Sequence, residues 1–461
     1  MLKRKIETKL EFWKKNRKQA LLVSGPRQVG KSYSIKHFID AEFENVIEID
    51  FSKRKDLVNV FATLNNSEDL LIRLSAVAGN KMVKNRTVIF LDEIQLVYQR
   101  REELKKNNAS SSDYQDILTA MKSLVEQGDY RFILSGSLLG VTLRDINLNP
   151  TGYVDEYKMY PLDFEEFMWA KGVGEQAIQY LKDCFNNKKP VDDEMNNLFL
   201  NMFREYVLIG GMPEAVEAYI EQGNLYLVKT AQTQIINRYK LDITTYVEDD
   251  SLKLRIRDVF SAIPSQLSNK NMRFISSQVL DKQYLKNNKV EDEFLWLTNA
   301  GVAIPTYHVN EPVLPLELSK ERKTLKLFNS DVGLLVAQLV DTGIREKLLA
   351  NASEINYGAP YENAAAQEFI SHGFGDVLYY YNSKAHGEVD FLLTLNNEVL
   401  PIEIKSGKPK ETQIYDHSAL NNMLKIYKHP LAYVFGETNV IKENEQIYQL
   451  PIYMIDFIRK E

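Results

Sequence analysis

Residues Gly25-Pro26-Arg27-Gln28-Val29-Gly30-Lys31-Ser32 fill every place of the pattern G-x-x-x-x-G-K-[ST], whose chemistry is the wrapping of a phosphate chain. The two glycines let the backbone bend tightly, so that successive N–H groups and a helix N-terminus point at an anion. Lys31 is placed to reach the β- and γ-phosphates of a nucleoside triphosphate. The Ser32 hydroxyl is placed to ligate Mg²⁺, a hard cation that shares oxygen ligands with its substrate. Together with Tyr33, the residues Gly25, Pro26, Arg27, Gln28, Val29, Gly30, Lys31 and Ser32 form the expected ATP-binding set.

A second point of chemistry is Thr87-Val88-Ile89-Phe90-Leu91-Asp92-Glu93, an apolar, β-prone run ending in two carboxylates. Acids at the C-terminal edge of a strand stand where open α/β sheets bind ligands. Asp92 would hold Mg²⁺ through water, and Glu93 would act as the catalytic base that polarises the attacking water. The competing reading is a helix start with acids in its first turn. A third apolar run, Tyr130–Leu134, ends in Ser135-Gly136-Ser137. Ser135 there is expected to read the γ-phosphate, although Ser-Gly also ends strands with no such role.

The C-terminal part carries a different constellation. Asp390 lies in one apolar strand candidate, Val389–Leu393, while Glu403 and Lys405 share a face of the next, Leu400–Lys405. Glu388 shares a face with Asp390, and Glu362 or Glu368 can approach from a helix spanning about Pro360–Ile370. Several carboxylates with one lysine beside them suit Mg²⁺-dependent phosphodiester cleavage. The spacing D-x₁₂-E-x-K matches the signature of restriction-endonuclease-like nucleases. The plain alternative is an exposed strand face that alternates Glu and Lys for solubility.

These residues need particular elements to hold them. Ala20–Val23 reads as a buried strand before the glycine loop, and Tyr33–Phe38 begins a helix after it. From Leu162 through Tyr219 the apolar spacing turns helical, broken at Gly210-Gly211-Met212-Pro213-Glu214, and this segment is expected to be a lid beside the nucleotide-binding sheet. Between about Ile235 and Phe328 short amphipathic helices and the helix-to-strand run Phe294–Tyr307 suggest a winged helix. Arg255, Arg257, Lys270, Arg273, Lys282, Lys286 and Lys289 would supply its phosphate contacts if it binds DNA; a helical packing module with a solvated basic face is the equal alternative. The charged and Ser-rich stretch Arg100–Ser112 reads as a surface loop.

The expected fold is therefore α/β and multidomain, with an ATPase core at 1–160, a helical lid at 161–234, a winged-helix-like segment at 235–330 and a nuclease-like α/β domain at 331–461. At 461 residues, with 44% hydrophobic and 26% charged residues, the chain is too long for one core and too apolar for disorder. A net charge of −6 does not mark a general nucleic-acid binder, so any such site must be a local patch. One cysteine, Cys184, excludes an intramolecular disulfide framework. No run of about 18 apolar residues is present, and neither is a signal-peptide core, which points to the cytoplasm.

In the order of these motifs the chain resembles bacterial and archaeal AAA-superfamily ATPases of the AAA_14 plus DUF4143 architecture. The resemblance rests on Gly25–Ser32, Leu91-Asp92-Glu93-Ile94-Gln95, Leu134-Ser135-Gly136-Ser137, Tyr160-Pro161-Leu162-Asp163-Phe164-Glu165-Glu166-Phe167, Gly210–Glu214, Ser330-Asp331-Val332-Gly333-Leu334, Tyr361-Glu362-Asn363 and Glu388-Val389-Asp390-Phe391. It implies an ATPase core and a nuclease-like end with Glu362, Asp390, Glu403 and Lys405 at the motif positions. Where many relatives carry an arginine after a Pro-x-Gly turn, this chain has Pro150-Thr151-Gly152-Tyr153, leaving Arg144 as the nearby candidate for an arginine finger in an oligomer. The expected function is Mg²⁺-dependent ATP hydrolysis coupled to DNA. The alternatives are a nucleotide-gated protein-binding module with a silent nuclease fold, and a nuclease switched by ATP.

Overall fold

A computed structural model describes residues 2–107, 114–137, 152–269, 272–280, 290–340, 358–382, 387–407, 409 and 414–460. The chain forms two compact units, one of Lys3–Tyr160 with Asn299–Gly301, the other built mainly from Pro161–Thr298 and Val302–Glu461.

The first unit is organised by five parallel strands, β1 (Ala20–Ser24), β2 (Asn45–Asp50), β3 (Thr87–Asp92), β4 (Arg131–Gly136) and β5 (Val154–Lys158), in the order β2-β3-β4-β1-β5. β1 and β3 are buried along their whole length, which explains their continuous apolar runs, since a parallel sheet is covered on both faces. The order places β4 between the glycine-loop strand and the acid-bearing strand. Registers Val23↔Ser135 and Leu91↔Leu134 bring all three strand ends to one edge.

The helix Lys31–Glu42 follows the glycine loop directly. The stretch expected to be a loop from Arg100 departs from that reading, because the helix Gln95–Asn107 runs through its first eight residues. The pairs Arg100–Glu103 and Glu102–Lys105, three residues apart, support that helix from its exposed side. The rest of the expected loop, Asn108–Ser112, lies outside the described residues.

The second unit joins a set of helices to an eight-stranded mixed sheet. Its strands are β6 (Ala303–Val309), β7 (Lys320–Asn329), β8 (Val377–Asn382), β9 (Gly387–Leu395), β10 (Glu398–Ile404), β11 (Ala432–Gly436), β12 (Ile441–Lys442) and β13 (Ile447–Pro451), in the order β12-β13-β11-β10-β9-β8-β6-β7. The β6–β7 hairpin, which in sequence resembles a wing, pairs through β6 with β8 and so belongs to this sheet. The helix Gly358–Ser371 is buried from Ala359 through Phe369; Ala364-Ala365-Ala366 gives it one turn of small side chains, spread around its circumference, with room for neighbours.

The aromatic residues at helical spacing are core. Phe164, Phe167, Phe203 and Tyr206 form one cluster with ring centroids 5.2–5.9 Å apart. Beside it, the Asp193–Ile209 helix ends at Gly210, and Gly211 lies so close to another segment that a Cβ there would stand 2.0 Å from the Leu162 carbonyl oxygen. The Gly211 N–H donates to Asp331 Oδ2 at 2.6 Å, and Asp331 Oδ1 accepts from Leu334 N–H at 3.0 Å. Two motifs separated by 120 positions thus meet through one carboxylate. Gly211→Ala should lower the unfolding free energy by on the order of 3 kcal/mol, read by urea denaturation, because backbone rather than a flexible side chain must move. A loss near zero would show that the Leu162 segment parts freely.

Candidate functional site

The glycine loop is shaped for an anion by backbone geometry. Gly25 has φ 140° and Gly30 φ 93°, and a Cβ at Gly25 would meet the Met159 carbonyl oxygen at 2.1 Å, so only glycine fits. The Lys31–Glu42 helix begins with no side chain capping its first amides and no acid in its first turn. Its positive end is left for an external anion. Buried Arg4 braces the loop, donating to the Val29 carbonyl at 2.8 Å and to the Tyr160 carbonyl at 2.8 Å; nothing in its lysine- and arginine-rich surroundings distinguishes it in the sequence.

Lys31 is buried and folds back onto the loop, Nζ donating to the carbonyls of Pro26 at 2.6 Å and Gly25 at 3.0 Å. Burial pulls its pKa down to about 8, against the pull of Glu93 and Asp92. Asp92, at the end of β3, is held above the ordinary carboxylate range by burial, opposed by hydrogen bonds from Ser135 and Ser32. Ser32 and Asp92, the two expected Mg²⁺ ligands, therefore touch. A buried carboxylate beside a hydroxyl and an ammonium fits a hard divalent cation with bound phosphate.

Glu93 adopts φ 57°, a left-handed conformation uncommon for a residue with a Cβ. The turn carries its carboxylate away from Asp92's surroundings, and Oε2 accepts from Ser137 Oγ at 3.0 Å and from the Gln95 amide. Ser135 hydrogen-bonds Asp92. The strand-end hydroxyl beside Glu93 is thus that of Ser137, which also accepts from Arg27 Nε at 3.1 Å. Ser137 is visible in Ser135-Gly136-Ser137, but only the fold separates the two serines' partners. Tyr33 is exposed at the start of the helix. Arg144 lies outside the described residues.

In the second unit Glu362, Asp390, Glu403 and Lys405 do converge. Glu403 Oε1 pairs with Lys405 Nζ at 2.7 Å, and Asp390 Oδ2 accepts from Ile404 N–H at 2.7 Å. The unforeseen member is Lys326 on β7. Fully buried, it places Nζ 2.9 Å from Glu362, 2.7 Å from Glu388 and 3.9 Å from Asp390. An ammonium thus stands among the carboxylates expected to hold a metal, and its only sequence signal is a lysine inside the run Leu325-Lys326-Leu327-Phe328. Burial, aided by neighbouring Asp390, lifts Glu362 to about 8 and Glu403 to about 8. Glu368 turns elsewhere, accepting from Phe164 N–H at 2.9 Å and Tyr206 Oη at 2.8 Å.

Of the basic residues suggested for DNA, Arg255 pairs with buried Glu293 at 2.6 Å. Arg273 sits 3.4 Å over the Tyr381 ring and 3.5 Å from Glu388. Arg257 is exposed. Lys270, Lys282, Lys286 and Lys289 lie outside the described residues.

A parallel sheet with a glycine-loop cradle, a strand-end acid pair and an intervening strand defines the class of P-loop nucleotide-binding folds. Residues 17–168 match an AAA domain, 200–348 a domain of unknown function (DUF8612) and 357–455 a second domain of unknown function (DUF4143). The chain accordingly has an AAA-type P-loop ATPase fold and carries a DUF4143 domain. No curated protein matches it. Among solved structures it is similar to the Walker-type ATPase of Pyrococcus abyssi, at 16% identity over 74% of this chain and 96% of that one, with a TM-score of 0.42. The Aeropyrum pernix ORC1 protein in complex with DNA is 10% identical over 77% and 93%, TM-score 0.27. The Thermotoga maritima RuvB Holliday junction branch migration motor is 14% identical over 66% and 89%, TM-score 0.26. Among the described residues, no helix is long and apolar enough to cross a membrane.

The Lys326 cluster has a signed pH dependence. A carboxyl whose pKa is raised from 4.5 to about 8 on folding contributes stability that is complete below 4.5 and is lost as pH rises through about 8. Lys326→Met should cost about 3–5 kcal/mol at pH 8, where Glu362 ionises without its ammonium, and clearly less at pH 5, where Glu362 holds its proton. Urea unfolding at the two pH values checks this. Equal losses would show that Glu362 keeps one charge state at both pH values.

Proposed function

We propose that the chain binds ATP at Gly25–Tyr33 and hydrolyses it with Mg²⁺, and that nucleotide state gates a protein-binding second unit whose nuclease-like cluster is catalytically silent. The observation that carries the ATPase reading is the meeting, at one sheet edge, of the Lys31 cradle with Asp92, Glu93, Ser135 and Ser137. Mg²⁺, held by Ser32 and through water by Asp92, would supply charge to draw electrons toward the leaving phosphate. Lys31 moves from the loop carbonyls to the phosphate oxygens. Glu93 orients a water and takes up its proton, which requires its carboxylate to leave the hydrogen bonds from Ser137 and Gln95.

The cradle also touches the segment that leaves this unit. Met159 N–H donates to the Ser24 carbonyl at 2.8 Å, the Met159 carbonyl packs on Gly25, and Arg4 links Val29 to Tyr160. A phosphate that re-sets the loop therefore acts on residues 159–160, the backbone route into the second unit.

Lys326 supports the silent reading of the C-terminal cluster. Its ammonium already stands among Glu362, Glu388 and Asp390, so a metal cation brought to the same carboxylates would meet repulsion. A protein partner is favoured over DNA because Arg255 and Arg273 are spent on internal acids.

Lys31→Ala should abolish tight ATP binding with the fold intact, since its charge serves phosphate and little of the core. Glu93→Gln should keep ATP binding and lose turnover by on the order of 10²-fold or more. ATP affinity by calorimetry and steady-state phosphate release check both; parental turnover in Glu93→Gln removes Glu93 from the role of base. The same ATPase assay with single- and double-stranded DNA, run beside a Mg²⁺/Mn²⁺ cleavage assay, should show neither stimulation nor cleavage. Salt-sensitive DNA stimulation, weakened by Arg257→Glu, would establish a DNA partner instead.

A further inference from the structure

The motif Tyr160–Phe167 supplies no side chain to the ATP site, yet one of its residues meets three others from distant parts of the second unit. Asp163, Glu368, His372 and Asp456 are all buried, and one ligand atom from each lies within 4.8 Å of all the others. They come from separate elements. Asp163 caps the Phe164–Ala170 helix, Glu368 and His372 stand one turn apart at the end of Gly358–Ser371, and Asp456 lies in the short helix Ile452–Phe457.

His372 decides what this cluster can hold. Its ring is almost wholly buried, and Nδ1 is 3.0 Å from the Ile458 carbonyl oxygen. That carbonyl can only accept, so Nδ1 carries the proton and the lone pair of a neutral ring lies on Nε2. Nε2 has no hydrogen-bond partner among the described residues, yet it faces Asp163 Oδ2 at 3.4 Å, Glu368 Oε2 at 3.4 Å and Asp456 Oδ1 at 3.5 Å. These are not hydrogen-bond lengths for a charged pair, which run about 2.7–2.9 Å. They match the edge of a coordination tetrahedron, whose ligands, about 2.0–2.1 Å from a central ion, stand about 3.3–3.4 Å from one another; the oxygens themselves lie within 4.8 Å of each other.

The remaining atoms are arranged as a metal's outer shell would be. The other oxygen of Asp163 accepts the Glu166 N–H at 2.9 Å, and Glu368 Oε1 accepts from Phe164 N–H and Tyr206 Oη. The Nδ1–H to carbonyl bond orients the imidazole. Charge is consistent as well. Three carboxylates are offset by Arg459, 3.2 Å from Asp456 and shared with partly exposed Glu165; a divalent cation beside a neutral His372 would bring Asp163, Glu368, Asp456 and Arg459 to neutrality, whereas an imidazolium alone would leave one negative charge buried.

We propose that Asp163, Glu368, His372 and Asp456 form a closed structural site for a first-row divalent transition cation, with zinc the best match to one imidazole and three carboxylates. An imidazole disfavours Ca²⁺ and Mg²⁺, and full burial leaves no open position for catalysis. The cation ties the start of the helical segment to the C-terminal end of the unit.

The test is metal content of the full chain, dialysed against metal-free buffer, with the melting temperature followed as Zn²⁺ is returned to chelator-stripped protein. One equivalent is expected in the parent and in Lys31→Ala, which lacks only the phosphate lysine, and none in His372→Ala or Asp456→Asn. Should those variants fail to fold, Co²⁺ added to stripped parent protein should give the strong visible d–d bands of a tetrahedral site. A metal-free parent whose melting temperature ignores Zn²⁺, a metal retained in both ligand variants, or Co²⁺ bands of octahedral type would each overturn the proposal.

Discussion

An ammonium without solvent tolerates one arrangement of its surroundings, and Lys326 imposes that arrangement on the C-terminal sheet. Its Nζ lies within 3 Å of carboxylates from the Gly358–Ser371 helix and from β9. Removing an ion from water costs several kcal/mol even after relaxation, so β7, β9 and this helix must keep their registers for the charge to be matched. Asp390 belongs to the same balance, because the Ile404 N–H takes its second oxygen and ties β9 to β10. Three of the carboxylates that in sequence look like ligands waiting for a metal, Glu362, Glu388 and Asp390, stand around one lysine.

The phosphate-binding edge depends on a different constraint, that of backbone shape. Gly25 has no room for a side chain, and Glu93 is held at a positive φ. The strain at Glu93 separates two adjacent acids into different environments, so that Asp92 meets Ser32 and Ser135 while Glu93 meets Ser137 and Gln95. Neighbouring carboxylates acquire unlike surroundings because the chain turns between them.

Much of this is legible in the residues themselves. The glycine loop, β1, β3 and β4 are local signals, each a continuous apolar run or a spacing, and the structure keeps them. The helix through Arg100–Asn107 escapes a sequence reading because charged residues look solvent-loving before they look paired. Lys326, Ser137, and the meeting of Asp163 with His372 and Asp456 are not legible at all, since each depends on which strands are neighbours or on residues hundreds of positions apart. The basic residues of the middle segment show the same limit: composition counts Arg255 and Arg273 as free charge, and tertiary contacts consume them.

The separation in sequence of these contacts has a consequence for how the molecule is made. All five strands of the first sheet lie before residue 159, so that sheet can assemble while most of the chain is still to be synthesised. The second unit is joined by Gly211 to Asp331, Arg204 to Glu437 and Asn196 to Thr438, spans of 120, 233 and 242 residues. Helices finished early must wait for a sheet that arrives late, with their apolar faces uncovered for tens of seconds at about 5–20 residues per second. The interval in which this protein most needs a chaperone therefore opens once its nucleotide-binding sheet is already complete.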